Sequence, residues 1–316
     1  MKYAHSGHAA FLYRTQQEYL DSLLPFISDA VNANQAVLVA VQAPNLSALA
    51  DGLGRSAAKV VMGDMLDVCR NPGRILGEVL GRFVDEHADR PVRMIGEPVW
   101  PSRSDVEYPA CVHHEVLLNR AFNGQDVVMI CPYHVGQLDA EVIADARRTH
   151  PVLWQDGAFE RNDAAYAPEA MLSRYNEPLS SDATAVRYTA RKFGDLGGAR
   201  DFAGAYARWF GLSPDQTADL QLIASELASA SLTHVARTCR LALWRDDGHV
   251  VCEARDDGWL DDPLAGRRPY GSDNDQGRGL YVVNAIADLV RTHTTACETT
   301  VHAYLRLDGK EQTESE

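Results

Sequence analysis

Long apolar runs are absent from this 316-residue chain. No stretch approaches the ~18 uninterrupted apolar residues a membrane-spanning helix needs. The opening residues, MKYAHSGHAAFLYR, lack the apolar core of a secretory leader. No membrane span and a cytoplasmic location are therefore expected. Positive charge is scarce: 30 Lys and Arg stand against 44 Asp and Glu, a formal charge of −14. Phosphate backbones and anionic bilayers select a basic face, so direct DNA binding and membrane-surface binding are not expected. Paired cysteines are missing too. The six, at 69, 111, 131, 239, 252 and 297, form no CxxC and sit mostly among apolar neighbours, so they read as reduced core residues. No GxxxxGK occurs, which leaves a P-loop without support.

What the chain does have is alternation. AAFLY (9–13), AVLVAVQ (36–42), KVVMGD (59–64), PVRMIGEP (91–98), DVVMICPY (126–133) and HPVLW (150–154) read as buried strands. Between them lie helical patterns at 16–32, after Pro44, at 71–90 with Pro near the start, at 105–122 and at 138–148. Apolar strands alternating with helices imply βαβ units and a doubly wound, mostly parallel sheet covered on both faces. The pattern lapses over 156–182, where Pro, Asn, Ser and Asp punctuate, and we read that stretch as a linker between domains at 1–155 and 183–307. The second domain has another rhythm: strand VRYTARKF, helices at 197–211 and 213–235, strands at 239–247 and 248–257, a helix at 278–291 and a strand at 299–307. Helices on a mixed, mostly antiparallel sheet make an α/β sandwich. Residues 308–316 read as a disordered polar tail.

Three segments of the second domain carry chemistry. ASELASASL (224–232) lies on the long helix, EARDDG (253–258) at a strand-to-loop junction, and QGRGLYVVNAIAD (276–288) where a loop enters a helix. A carboxylate at a strand end, Asp256, suits an adenine amine, and Gly258 lets the backbone turn beneath the base. Gly277 and Gly279, flanking Arg278, free backbone N–H groups just before a helix, where a phosphate is favoured. Each segment alone is equally a plain turn or a flexible loop.

In their order and spacing the three resemble the GHKL-type ATP-binding module of bacterial anti-sigma serine kinases. That resemblance implies nucleotide-binding roles for Asp256, Gly258, Gly277, Arg278, Gly279 and Leu280, and a general-base role for Glu226. It also implies a sigma factor or an anti-anti-sigma protein as partner, and a homodimer. Two departures matter. The family's Mg²⁺-holding Asn, four residues beyond the helix Glu, is Ala230 here, and its second loop glycine is Leu260. Ser229 and Ser231 flank the metal position but point about 100° away on an ideal helix. We therefore expect weak ATP binding without Mg²⁺, and a kinase-like domain that is inactive or weak.

In the first domain, HAAFLY (8–13), GEPVWP (96–101), CVHHEVLLNRAF (111–122) and ICPYH (130–134) together resemble the MEDS domain, a sensory module of methanogen proteins and a dichloromethane-responsive regulator. The resemblance implies a small-molecule sensor and supplies no ligand. His8, Glu97, Trp100, Cys111, His114, Glu115, Cys131 and Tyr133 are the pocket candidates, since open α/β sheets bind ligands at carboxyl strand ends. These residues suit an organic-ligand or redox pocket, a metal site, or plain structural roles. The spacing is poor for a metal, Cys111–His114 being half a site at most, and no metal is assigned.

The chain thus reads as a signalling regulator that senses a small molecule or redox state and controls a sigma factor or its antagonist. The alternatives are an active ATP-dependent serine kinase acting on an anti-anti-sigma protein, and a nucleotide- or ligand-binding sensor without such a partner.

Overall fold

In the first unit, β1 (Gly7–Tyr13) leads into α1 (Gln16–Asn32), β2 (Ala36–Val41), α2 (Ala43–Leu53), β3 (Val61–Asp64) and α3 (Met65–Val68). There follow α4 (Pro72–Arg74), a π-helical stretch Ile75–Gly81, α5 (Arg82–Glu86) and β4 (Val92–Gly96). Then come α6 (Tyr108–Ala121), β5 (Val127–His134), α7 (Ala140–Thr149), β6 (Val152–Gln155), β7 (Ala158–Arg161) and α8 (Pro168–Arg174). This computed structural model describes residues 7–68, 70–233, 238–268 and 277–307. The tail expected at 308–316, Gln276 and the last residues of the helix expected to reach 235 lie outside the described residues. The chain divides into two units, Met1–Tyr175 and Asn176–Glu316.

The seven strands run in the order β3-β2-β4-β5-β1-β6-β7, parallel except for the β6–β7 pair. All six residues of β2 and six of the seven in β1 are buried, as strands covered on both faces require. Local signals hold the helices: Thr15 caps α1 by accepting from the Glu18 N–H, and Pro opens α2 and α6. The helix expected at 71–90 ends at Glu86 and is π-helical through its middle. Glycines at 77 and 81 weaken its preference for regular α geometry.

The expected linker is only partly one. Asp156 and Gly157, both at positive φ, turn β6 back into β7. Met171 of α8 and Tyr175 pack on Val112 and Val116 of α6. Residues 176–182 hydrogen-bond within the second unit: Asn176 brackets Thr294, and Ser181 donates to Glu253 at 2.7 Å.

The second unit comprises β8 (Val186–Ala190), α9 (Leu196–Phe210), α10 (Pro214–Thr233), β9 (Cys239–Asp246), β10 (His249–Asp256), α11 (Arg278–Ile286), β11 (Leu289–Thr294) and β12 (Thr299–Arg306). Its sheet order is β11-β12-β10-β9-β8, and every pairing is antiparallel. The three helices share one face of the sheet. Ala199, Ala203 and Ala207 of α9, Leu220, Ile223, Ala224 and Leu227 of α10, and Val283 of α11 bury against Leu241, Val250, Cys252, Val301 and Ala303. A correction falls at 287–291: the helix expected to reach 291 stops at Ile286, and LVRTHT is a strand pairing with β12. Its β-branched residues and edge position beside β12 outweigh the helical periodicity. Among the described residues no helix is long and apolar enough to cross a membrane.

Candidate functional site

The second unit holds a small cleft between α10 and the sheet. Asp256, the last residue of β10, and Gly258 stand on one wall, and Leu227, Ala230 and Ser231 of α10 on another. Trp259, Leu260, Leu280, Ala254, Thr299 and Val301 complete the lining. Asp256 is buried, and its Oδ1 accepts from the Gly258 N–H at 2.7 Å, which fixes the carboxylate plane. Thr299 lies directly across β10–β12 from Asp256. Its Oγ1 donates to the Gly258 carbonyl at 2.9 Å and meets Thr294 Oγ1 at 2.9 Å. The result is one acidic anchor in a largely apolar slot, a design that suits a flat ring carrying an amine.

Four of the residues expected here line this cleft: Asp256, Gly258, Leu280 and Ala230. Glu226, Gly277, Arg278 and Gly279 do not line it. The glycines are nonetheless required by packing. A Cβ on Gly279 would fall 2.9 Å from the Glu226 carbonyl oxygen and 3.2 Å from its Oε2, and one on Gly277 would fall 2.8 Å from the Gly266 nitrogen. Gly277 also sits at φ 125°. The start of α11 thus lies against the face of α10 that carries Glu226 and Ala230. Ser231, expected to point about 100° away from the metal position, is buried and lines the cleft. Leu227, Ala230 and Ser231 stand three and four residues apart and form one stripe. Thr299 and Trp259 were not foreseen; the period-two pattern of TTVHAYLR was the available signal for Thr299.

In the first unit the eight candidates separate into three groups. Glu97 stands one residue beyond β4, at the carboxyl edge of the sheet, accepting from Gln42 N–H (3.2 Å) and Asn45 Nδ2 (2.8 Å). Burial raises its carboxyl to about 7, against the pull of those two donors. Trp100 carries the Arg103 guanidinium 3.7 Å over its ring, and Arg103 in turn donates to the Pro98 and Arg70 carbonyls. Cys111 points at the Pro98 carbonyl, and burial pushes its thiol up to about 12.

His8, Glu115, Cys131 and Tyr133 form the third group, together with His150, which the sequence did not single out. Cys131 and Tyr133 lie within β5 and His8 near the start of β1, so the group sits beneath the sheet and away from its carboxyl edge, where it was expected. His8 Nε2 and His150 Nε2 both face Glu115 Oε2, at 3.0 and 3.1 Å, and His8 Nε2 lies 3.1 Å from Cys131 Sγ. Tyr133 stands edge-on to the His150 ring. Burial, with His150 beside it, pushes His8 down to about 4. Burial would raise the Glu115 carboxyl, but the two imidazoles hold it well below the usual range. Burial and the Glu115 charge hold the Cys131 thiol and the Tyr133 phenol well above theirs. His114, buried on the same helix, stays outside the group.

A family model described as the MEthanogen/methylotroph, DcmR Sensory domain (MEDS) matches residues 7–151, and one described as the histidine kinase-like ATPase domain matches residues 189–305. The chain is a MEDS sensory domain joined to a histidine kinase-like ATPase domain. Among solved structures, a chain of the SiaB-SiaC complex from Pseudomonas aeruginosa is similar at 12% identity, covering 38% of this chain and 88% of its own, with a TM-score of 0.31. No curated protein matches. The Asp256 cleft accordingly belongs to the ATPase domain, and the buried His8–Glu115–Cys131–His150 group and the Glu97 edge belong to the MEDS domain.

Proposed function

We propose that the chain is a signalling regulator whose MEDS domain senses a small molecule or redox state. Its ATPase domain acts chiefly by binding, toward a sigma factor or an anti-anti-sigma protein. The observation that carries this reading is the combination of an intact base anchor, Asp256 with Gly258 and Thr299, and an alanine at the metal position. Adenine recognition needs only the anchor and the apolar slot. Phosphoryl transfer needs a metal held against the phosphates, and Ala230 offers no oxygen. Nucleotide binding is therefore weak and indifferent to Mg²⁺. Calorimetric titration with ATP, with and without Mg²⁺, tests this: equal affinities are expected, and tight binding lost on chelation overturns it. Asp256→Asn keeps an oxygen for the Gly258 N–H but loses the charge, and should weaken ATP binding by about 1.5–3 kcal/mol, roughly tenfold to a hundredfold. Trp259, which is exposed and lines the cleft, provides a fluorescence signal for the titration.

The rival reading, an active serine kinase with Glu226 as base, draws on the placement of Ser231, which lines the cleft beside Ala230. Under that reading Ser231→Ala abolishes Mg²⁺-dependent phosphate transfer to a partner. Under ours there is no transfer to abolish.

A further inference from the structure

The buried group in the MEDS domain gathers more ligand-type atoms than its hydrogen bonds satisfy. His8, Glu115, Cys131 and His150 each bring one ligand-type atom to within 4.8 Å of the others, and their exposures are 5%, 1%, 0% and 0%. The tautomers follow from the outer contacts. Asn119 Nδ2 donates to the Thr149 carbonyl at 2.9 Å, so the amide oxygen is the atom facing His8 Nδ1 at 3.2 Å, and that nitrogen carries the proton. His150 Nδ1 faces the Ala146 carbonyl at 2.8 Å; a carbonyl only accepts, so this nitrogen is also protonated. In its neutral form each ring therefore turns an Nε2 lone pair inward. Both lone pairs point at the same carboxylate oxygen, at 3.0 and 3.1 Å. Neither Glu115 oxygen nor His150 Nε2 has a hydrogen-bond partner. Electron-rich atoms converging in a dry site repel one another unless protons or a metal cation stand between them.

We infer that His8, Glu115, Cys131 and His150 form a binding site for one zinc-class divalent metal ion. The donor set fits: two imidazoles, a thiolate and a carboxylate are zinc's usual ligands, and four protein ligands make a closed tetrahedral site. Zinc–ligand bonds of about 2.0–2.3 Å put neighbouring ligand atoms of a tetrahedron roughly 3.3–3.6 Å apart. Three of the six separations are 3.0, 3.1 and 3.1 Å, a few tenths of an ångström short of that spacing, and the other three lie within 4.8 Å. Charge fits as well. A divalent ion with one carboxylate and one thiolate is neutral overall, which a fully buried site needs. The Cys131 thiol gives up its proton to solvent as the sulfur–metal bond forms, one proton per ion bound. Asn119 and the Ala146 carbonyl orient the two imidazoles from behind, the usual arrangement around metal-bound histidines.

The test uses the full-length protein, stripped with a chelator, and titrates it with Co²⁺ and then Zn²⁺. One Co²⁺ per chain should bind with a thiolate-to-cobalt charge-transfer band, Zn²⁺ should displace it, and one proton should be released. Cys131→Ser should lose the band, while Cys297→Ser, at an exposed cysteine outside the group, should keep it. Asn119→Ala should weaken binding about 10–100-fold without changing the stoichiometry. Failure of the unaltered chain to bind either ion, or a band that persists in Cys131→Ser, overturns the assignment. The wild-type titration decides even where a variant does not fold. The outcome is independent of whether the ATPase domain binds nucleotide.

Discussion

Glu97 shows how much one buried carboxyl contributes. Its pKa rises from 4.5 to about 7 on folding because burial disfavours the charge. Between those two values the folded chain holds a proton that the unfolded chain has lost, so stability falls as pH rises through that window and levels off above it. The ceiling on the effect is about 3 kcal/mol. Glu97→Gln should flatten the slope and leave the protein more stable than wild type at pH 8, read from denaturant midpoints across pH. A wild-type profile without that decline would mean the carboxyl is solvated. Ala230 tests the ATPase cleft in the other direction. Ala230→Asn restores an amide oxygen to the cleft-lining stripe of α10, at a helix-propensity cost of about 0.7 kcal/mol or less. Mg²⁺ takes only one or two ligands from protein, so ATP affinity should become Mg²⁺-dependent. Identical affinities with and without Mg²⁺ in that variant would show that the cleft is not a lapsed metal site. That Asp256 and Gly258 share one wall of the cleft was legible, because strand end, carboxylate and glycine are adjacent in the chain. The placement of Ser231 was not, since ideal-helix angles measured from Glu226 do not say where the cleft lies.

At the scale of elements, periodicity and caps located α1 and most of the strands well, and failed where long-range pairing decides. The LVRTHT segment carries helical spacing continued from α11, yet it is a strand because β12 offers it a partner. The Asp156–Gly157 pair is a hairpin signal, obscured by the polar residues that follow it. Likewise α8 looked like linker because it is short and flanked by polar residues, and its packing on α6 is not visible locally. Met171 is 1% exposed in that contact. Met171→Ala should destabilise the first unit by about 2–5 kcal/mol and leave the second unchanged. Hydrogen exchange resolved by peptide is the measurement. Rapid exchange across residues 168–174 in the wild type would show that α8 is undocked.

For the molecule as a whole, two domains and their fold classes were readable, because each imposes its own rhythm over more than a hundred residues. The His8–Glu115–Cys131–His150 group was not assembled, although three of its members were candidates. Its residues come from β1, α6, β5 and the end of α7, and no local spacing reports a meeting of four distant segments. An ion held there ties together four points far apart in the chain, and the unfolded chain has no such site to offer. Folding of the MEDS domain then becomes a measure of metal supply. Free ion at a hundred times its dissociation constant adds about 2.7 kcal/mol, and the unfolding midpoint climbs with the logarithm of its concentration.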